Sequence, residues 1–156
     1  MVKGITFGQL NGGGKRVGIV ATMWNRVLVD RLVEECVRGL KDAGVEGDAV
    51  VIERVPGAFE LPRGAKMLID GGLVDAVVCI GVLVKGETMH FEYISDAVSR
   101  GIMGLNLQTD IPVIYGVLNC LSEEQVGARI KHGYEWGMSA VHMALISINR
   151  STNQLI

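Results

Sequence analysis

The stretch Asp75–Leu83, "DAVVCIGVL", restricts the fold more than any other part of this 156-residue chain. After its first residue it holds no charged or amide side chain. A strand with one wet face alternates apolar and polar residues; this one does not, so both of its faces are covered. Strands covered on both faces belong to parallel sheets, whose neighbouring strands must be joined by crossovers, usually helical. The remaining sequence supplies both parts. "RVGIVAT" (Arg16–Thr22), "AVVIERV" (Ala49–Val55) and "IPVIYGVL" (Ile111–Leu118) are further β-branched runs. Between the first two, Leu28, Leu32, Val33, Cys36, Val37 and Leu40 recur at spacings of three and four, a helix with Asn25 as its N-cap and Gly44 as its stop. "PGAFELPRGAKMLIDGG" reads as a turn and a shorter helix, and a long helix is expected from about Thr88 to Leu107. Ser122, with Gln125 three residues on, forms a capping box for the next helix, and "WGMSAVHMALISINR" is the closing one. The alternation predicts an α/β fold: three layers, α/β/α, around a four-stranded parallel sheet. The expected organisation is a flexible N-terminal arm (1–15), one domain (16–150) and a C-terminal tail (151–156).

Several function classes drop out on composition. A net charge of −2 with no basic block argues against a nucleic-acid groove. No apolar run reaches the roughly 18 residues a membrane span needs, and the first residues lack the apolar core of a secretory signal. Cys36, Cys79 and Cys120 are odd in number, far apart and set in apolar stretches. They fit no zinc spacing and read as buried free thiols of a reduced, cytoplasmic protein. "GGGK" at Gly12–Lys15 imitates a phosphate loop but fails on spacing: Gln9 stands where the first glycine belongs, and Arg16 where Ser or Thr should follow the lysine. It also precedes its strand instead of following one.

Open parallel sheets bind ligands beyond the carboxyl ends of their strands. That rule selects Thr22–Asn25, Val55–Glu60, Leu83–His90 and Asn119–Ser122. Trp24 places an indole at the end of the first strand. Ala58-Phe59-Glu60 offers a second aromatic and a carboxylate after the next. Gly86-Glu87-Thr88 brings backbone N–H groups to a helix start, a natural anion site, with His90 one turn into that helix as a group that exchanges protons near neutral pH. Each residue has a plainer reading: Trp24 as packing, His90 as helix surface, Glu60 as a helix-start charge. Their joint placement on one edge favours a site for a planar ring, a polyhydroxyl chain and a phosphate.

The motifs "VPGAFELP" and "GVLVKGETMHFEYISDAVSRGI", followed in order by "PVIYGVL" and "EEQVGAR", resemble the 6,7-dimethyl-8-ribityllumazine synthases of riboflavin biosynthesis. The likeness runs from Arg16 to about Asn149, and "MHFEYIS" and "EWG" look most like fungal members. It implies a flavodoxin-like sheet and a transferase that needs neither metal nor organic cofactor. The implied reaction condenses 5-amino-6-(D-ribitylamino)pyrimidine-2,4-dione with 3,4-dihydroxy-2-butanone 4-phosphate, giving the lumazine and releasing phosphate and water. By the family pattern Trp24 stacks on the pyrimidine. Ala58, Phe59 and Glu60 line the ribityl chain, and Val82, Leu83 and Val84 border the ring. Lys85, Gly86, Glu87 and Thr88 serve the phosphate, and His90 transfers protons. Tyr115 and Arg129 reach in from an adjacent subunit, Arg129 toward the phosphate. The family builds pentamers, some of them assembled into sixty-subunit shells; the fungal wording points to the isolated pentamer. The indole at Trp24, larger than the phenyl ring common in the family, extends the expected ligands to riboflavin.

One departure follows Arg129. The text "RIKHGYEWG" is several residues shorter than the family's, with Ile130 where alanine is expected. Aligning His132-Gly133 with the family's basic residue and glycine makes His132 a second phosphate or proton-transfer candidate. Lys131 is the alternative, and a solvated charge is the plain reading. Met23 replaces a residue that is often basic, and His142 reads as structural. A binding or storage module for flavin or lumazine would need Trp24 and Glu60 but not His90 or Arg129. An electron carrier would need a hydroxyl- and glycine-rich loop after the first strand, which "TMWNR" is not.

Overall fold

The computed structural model describes the backbone of residues 4–153 and the side chains of residues 4–147. Four strands, β1 (Val17–Thr22), β2 (Val50–Val55), β3 (Ala76–Val84) and β4 (Val113–Cys120), form one all-parallel sheet in the order β2-β1-β3-β4. The helices are α1 (Arg26–Asp42), α2 (Leu61–Asp70), α3 (His90–Gln108), the short α4 (Glu123–Gly127) and α5 (His132–Asn153). This is the expected three-layer arrangement. β1 is buried along its whole length and β3 over its first seven residues, because both are central. β2 is an edge strand, and Val51 and Ile52 on it stay exposed.

Alternation along the central strands divides the core. Val17, Ile19, Ala21, Val78, Ile80 and Val82 face α1 and α5, whereas Val20, Val77, Cys79, Val113 and Val117 face α2 and α3. All three cysteines are free and buried. α1 ends where expected: Gly44 takes a left-handed φ of 94°, which lets the chain turn beneath the last carbonyls. Leu10 packs against the α1/α5 core, the Gly12 N–H donates to Ala43 O at 2.7 Å, and the Phe7 ring lies 5.8 Å from that of His142. Of the expected arm, residues 1–3 lie outside the described residues; of the expected tail, residues 154–156 do, while 151–153 continue α5.

Four local expectations need correction. Asn25 stands at the N-cap position of α1, as expected, and its C=O accepts from Val29 N at 3.0 Å, but its side chain does not cap the helix. Its backbone is left-handed (φ 57°) and its amide instead donates to Val82 O on β3 at 3.0 Å. α3 begins at His90 itself, so His90 is not one turn into the helix. The chain bends at Glu87 and Thr88 and turns at Met89 before the helix, because Lys85 N is still bonded to Cys120 O as an extension of the ladder. β4 starts two residues late, since Pro112 has no N–H to donate and Val113 N bonds the Asn106 side chain at 2.8 Å. α5 starts at His132, four residues early. The short connection is a tight turn of successive bonds, His132 N to Arg129 O, Gly133 N to Ile130 O and Tyr134 N to Lys131 O, which leads directly into the helix. Ile130, the departure from alanine, is buried and anchors that turn in the α1/α5 core. The capping box at Ser122 is present with one displacement: Ser122 Oγ accepts from Gln125 N, but the Gln125 side chain accepts from Leu121 N instead of Ser122 N.

Candidate active site

After β1 the chain connects toward β2, and after β3 toward β4, so a crevice opens between the carboxyl ends of β1 and β3. A cavity of about 610 Å³ occupies it, large enough for one organic ligand of ordinary size. Trp24, Asn25, Ala58, Phe59, Glu60, Val82, Leu83, Val84, Gly86, Thr88 and His90 line it. Trp24 and Phe59 are 74% and 60% exposed, which is unusual for two large aromatic rings beside one cavity. Exposure here does not mean a loose backbone. Met23 N donates to Val55 O at 2.8 Å and Trp24 N to Pro56 O at 3.0 Å. Thr22 Oγ1 donates to Trp24 O, and Asn25 ties the loop to β3. The indole is therefore a bare apolar face on a pinned support, a geometry suited to a flat ring.

Beside Trp24, whose backbone is hydrogen-bonded to Pro56, a single 3-10 turn, Ala58–Glu60, follows β2. Glu60 Oε2 accepts from Gly57 N at 3.0 Å, so one carboxylate oxygen fixes the turn. The other has no partner among the described residues and is available to a hydroxyl. The plain reading of Glu60 as a helix-start charge is half right: one oxygen caps, and the residue still borders the cavity. Beyond β3, Gly86 and Thr88 line the far wall, and His90 opens α3 with its N–H 3.4 Å from Thr88 Oγ1. A nineteen-residue helix points its positive end at this wall, which suits an anion. Among the described residues no cluster of His, Cys, Asp or Glu could hold a metal ion, and no helix is long and apolar enough to cross a membrane.

The family model described as 6,7-dimethyl-8-ribityllumazine synthase matches residues 14–147. The chain belongs to this family. Among curated lumazine synthases, that of Schizosaccharomyces pombe is 42% identical over 151 aligned positions, covering 92% of this chain and 95% of its own. That of Pyricularia oryzae is 34% identical over 186 positions, covering 92% of this chain and 93% of its own. The family and the fungal likeness expected from the motifs both stand. With them stands the expected transferase reaction, condensation of the ribitylamino-pyrimidinedione with the butanone phosphate.

In this lumazine synthase chain the expected site residues divide into two groups. Those after β1 and β2 come together with Val82, Leu83, Val84, Gly86, Thr88 and His90 at and beyond the end of β3. Lys85, Glu87, Tyr115, Arg129 and His132 stand outside the cavity of their own chain, as does the stretch Asn119–Ser122. The Lys85 ammonium is paired with Glu92. Tyr115 is half-buried against the α2/α3 layer; burial raises its phenol above the usual range, and its hydroxyl donates to Asn119 Oδ1 at 2.6 Å. Asn119 in turn donates to Ser95 on α3 at 2.8 Å. Arg129 is exposed and spends one N–H on Gln125 O at 2.8 Å. His132 Nδ1 lies 3.6 Å from the Glu135 carboxylate.

Five lining residues escaped the sequence reading: Asn25, Pro56, Gly57, Phe91 and Ile94. The first three fall within stretches that the strand-end rule selects, and Asn25 was assigned to capping instead. Phe91 and Ile94 carry a usable signal, since they follow His90 at one and four residues and continue its side of α3 into the crevice.

Proposed function

We propose that this cavity is the lumazine synthase active site and that the residues lining it act as the family pattern assigns them. The supporting observation is the convergence, at one crevice, of a pinned bare indole, a half-free carboxylate and a helix N-terminus headed by a histidine. Trp24 and Val82–Val84 hold the pyrimidine ring. Ala58, Phe59 and Glu60 take the ribityl chain, with Glu60 accepting from its hydroxyls. Gly86 and Thr88 receive the phosphate of the second substrate, with Glu87 on the same loop. The ring amine attacks the ketone to form an imine with loss of one water, phosphate leaves by elimination, and closure of the second ring expels a second water. Every step moves a proton, and His90, between phosphate loop and ring, accepts and returns it. Holding two reactants in contact supplies much of the remaining rate.

Tyr115, Arg129 and His132 complete the site of a neighbouring subunit. Their positions outside their own cavity support sharing, and the exposed apolar row on α3 supports assembly, as a homopentamer. Arg129 then meets the leaving phosphate as a cation. The pocket also accepts riboflavin, a flat ring with a ribityl tail. Buried free thiols support a cytoplasmic location. The test is direct: with both substrates present, lumazine absorbance and inorganic phosphate should appear together. Ligand binding without either product would defeat the proposal.

A further inference from the structure

Lys85 sits where a phosphate cation would be expected, yet its charge is already engaged. Its backbone N–H donates to Cys120 O at 3.0 Å, so the residue is still fixed by the sheet. Its ammonium pairs with Oε1 of Glu92, in the first turn of α3, and lies 5.8 Å from the centroid of the Phe91 ring, a wall of the cavity. The other Glu92 oxygen is buried and has no hydrogen-bond partner among the described residues. That carboxylate therefore depends on Lys85, because a buried acceptor with nothing to accept from is costly.

The pair closes a ring around Gly86–Met89, and this loop has little else to hold it. All four residues are exposed. Met89 gives α3 no side-chain cap, and the bonds near the loop are His90 N to Thr88 Oγ1 at 3.4 Å and Tyr93 N to Met89 O at 3.2 Å. One end of the ion pair belongs to the sheet and the other to the helix that His90 opens. We propose that Lys85 and Glu92 form a clasp that positions the phosphate loop and His90, and that Lys85 is a positioning residue, not a phosphate ligand. This rests on the reading of Gly86–Thr88 as the phosphate site.

The experiment compares Lys85→Met, Glu92→Gln, the double variant and the reversed pair Lys85→Glu/Glu92→Lys with the parent. It reads kcat, KM for the butanone phosphate, inhibition by inorganic phosphate, oligomeric state and Tm. A clasp predicts a fall in kcat of about tenfold for each single variant, since small misplacements of reacting groups are expensive. The double variant should be no worse than Lys85→Met, and the reversed pair should recover most of the loss with assembly and Tm near the parent's. Two results would overturn it. One is Glu92→Gln with parental kcat alongside Lys85→Met with a raised KM for the phosphate substrate and weakened phosphate inhibition, which makes Lys85 a ligand. The other is a reversed pair as impaired as Lys85→Met. Inorganic phosphate that fails to compete in the parent itself would instead remove the phosphate-site reading, and the clasp's purpose with it.

Discussion

Helices α1 and α5 meet backbone to backbone, whereas α3, across the sheet, reaches the core through Val98 and Ile102 as its fully buried residues. Three glycines make the first contact. A Cβ on Gly39 would strike Tyr134 O, one on Gly133 would strike Leu32 O, and one on Gly137 would strike Cys36 O and lie 2.9 Å from Leu40 N. α3 instead leaves Tyr93, Met103 and Leu107, with Met89 just before it, between 56% and 79% exposed along its outer side. One layer is complete within a single chain; the other carries the cavity wall and an apolar surface that the chain alone does not cover. Exposed apolar rows of this kind mark interaction surfaces. The closed layer thus holds the sheet, while the open layer carries the cavity wall and an exposed apolar surface.

The comparison is most easily broken in the closed layer. Gly137→Ala puts a methyl group into α1 backbone that cannot yield without separating the helices. A loss of about 3 kcal/mol or more is expected, at the upper end for overpacking and a large part of the roughly 5–15 kcal/mol that holds a domain folded. Urea unfolding measures it. A variant as stable as the parent would mean that α1 and α5 are not the rigid layer described here.

The open layer should respond in the opposite sense. Met103→Glu with Leu107→Glu should leave secondary structure intact, because neither side chain is buried, but convert the proposed pentamer to monomers. If sites are shared, turnover falls with it by more than about tenfold, the scale of losing an interface anchor. Light scattering and the product assay together decide the matter: fully active monomers would end the shared-site reading, and an intact oligomer would show that another surface builds it.

His90→Ala probes the cavity end of the same layer. Turnover should drop at least about tenfold, the lower range for losing a general acid–base group, with ribityl-ligand binding retained. Rates unchanged across neutral pH would remove His90 from the mechanism.

How much of this contrast could be read from the sequence follows from how local each signal is. The strands and the two helical layers were legible because β-branched runs and three-and-four spacings are properties of neighbouring residues. Trp24, Phe59, Glu60 and His90 were legible because strand ends dictate where a site lies. Asn25 was misread because its partner, Val82, is 57 residues away and its left-handed backbone leaves no mark in composition. The early start of α5 was missed for a similar reason: "RIKHG" lacks an obvious cap, and it is burial of Ile130 against α1's layer that folds it into a turn. The Lys85–Glu92 pair was invisible because its partners lie on different elements, the end of β3 and the first turn of α3, and nothing in their types marks them as a pair.

A smaller effect is expected at Trp24, on the loop that faces the open layer's cavity. Trp24→Phe keeps an aromatic face but loses stacking area. Riboflavin should bind more weakly by about twofold to tenfold, matching the roughly 0.5–1.5 kcal/mol that aromatic stacking adds, while turnover is mostly kept. Tryptophan quenching should largely vanish, since Trp136 packs against the α1/α5 core on the other face of the sheet. Quenching that survives the change would make Trp24 a packing residue and place the ring elsewhere.

The finest test uses two thiols, one on each side of the sheet. Cys36 on α1 belongs to the closed layer's core and Cys79 on β3 faces the open layer. Burial pushes both up to about 12. A raised acid pKa means that the folded state keeps a proton the unfolded state gives up. Each thiol's contribution is therefore intact below about pH 8.5 and is lost as pH rises from there toward 12, at about 1.4 kcal/mol per pH unit. On this account both layers weaken alike in alkali, and global unfolding cannot tell them apart. Labelling under native conditions can, because a neutral thiol reagent reaches each cysteine only through local opening. Cys79, beneath helices with less buried surface, should be modified severalfold faster than Cys36, with the sites assigned by mass spectrometry. Equal rates would mean that the two layers open together and that the contrast between them is confined to their outer surfaces.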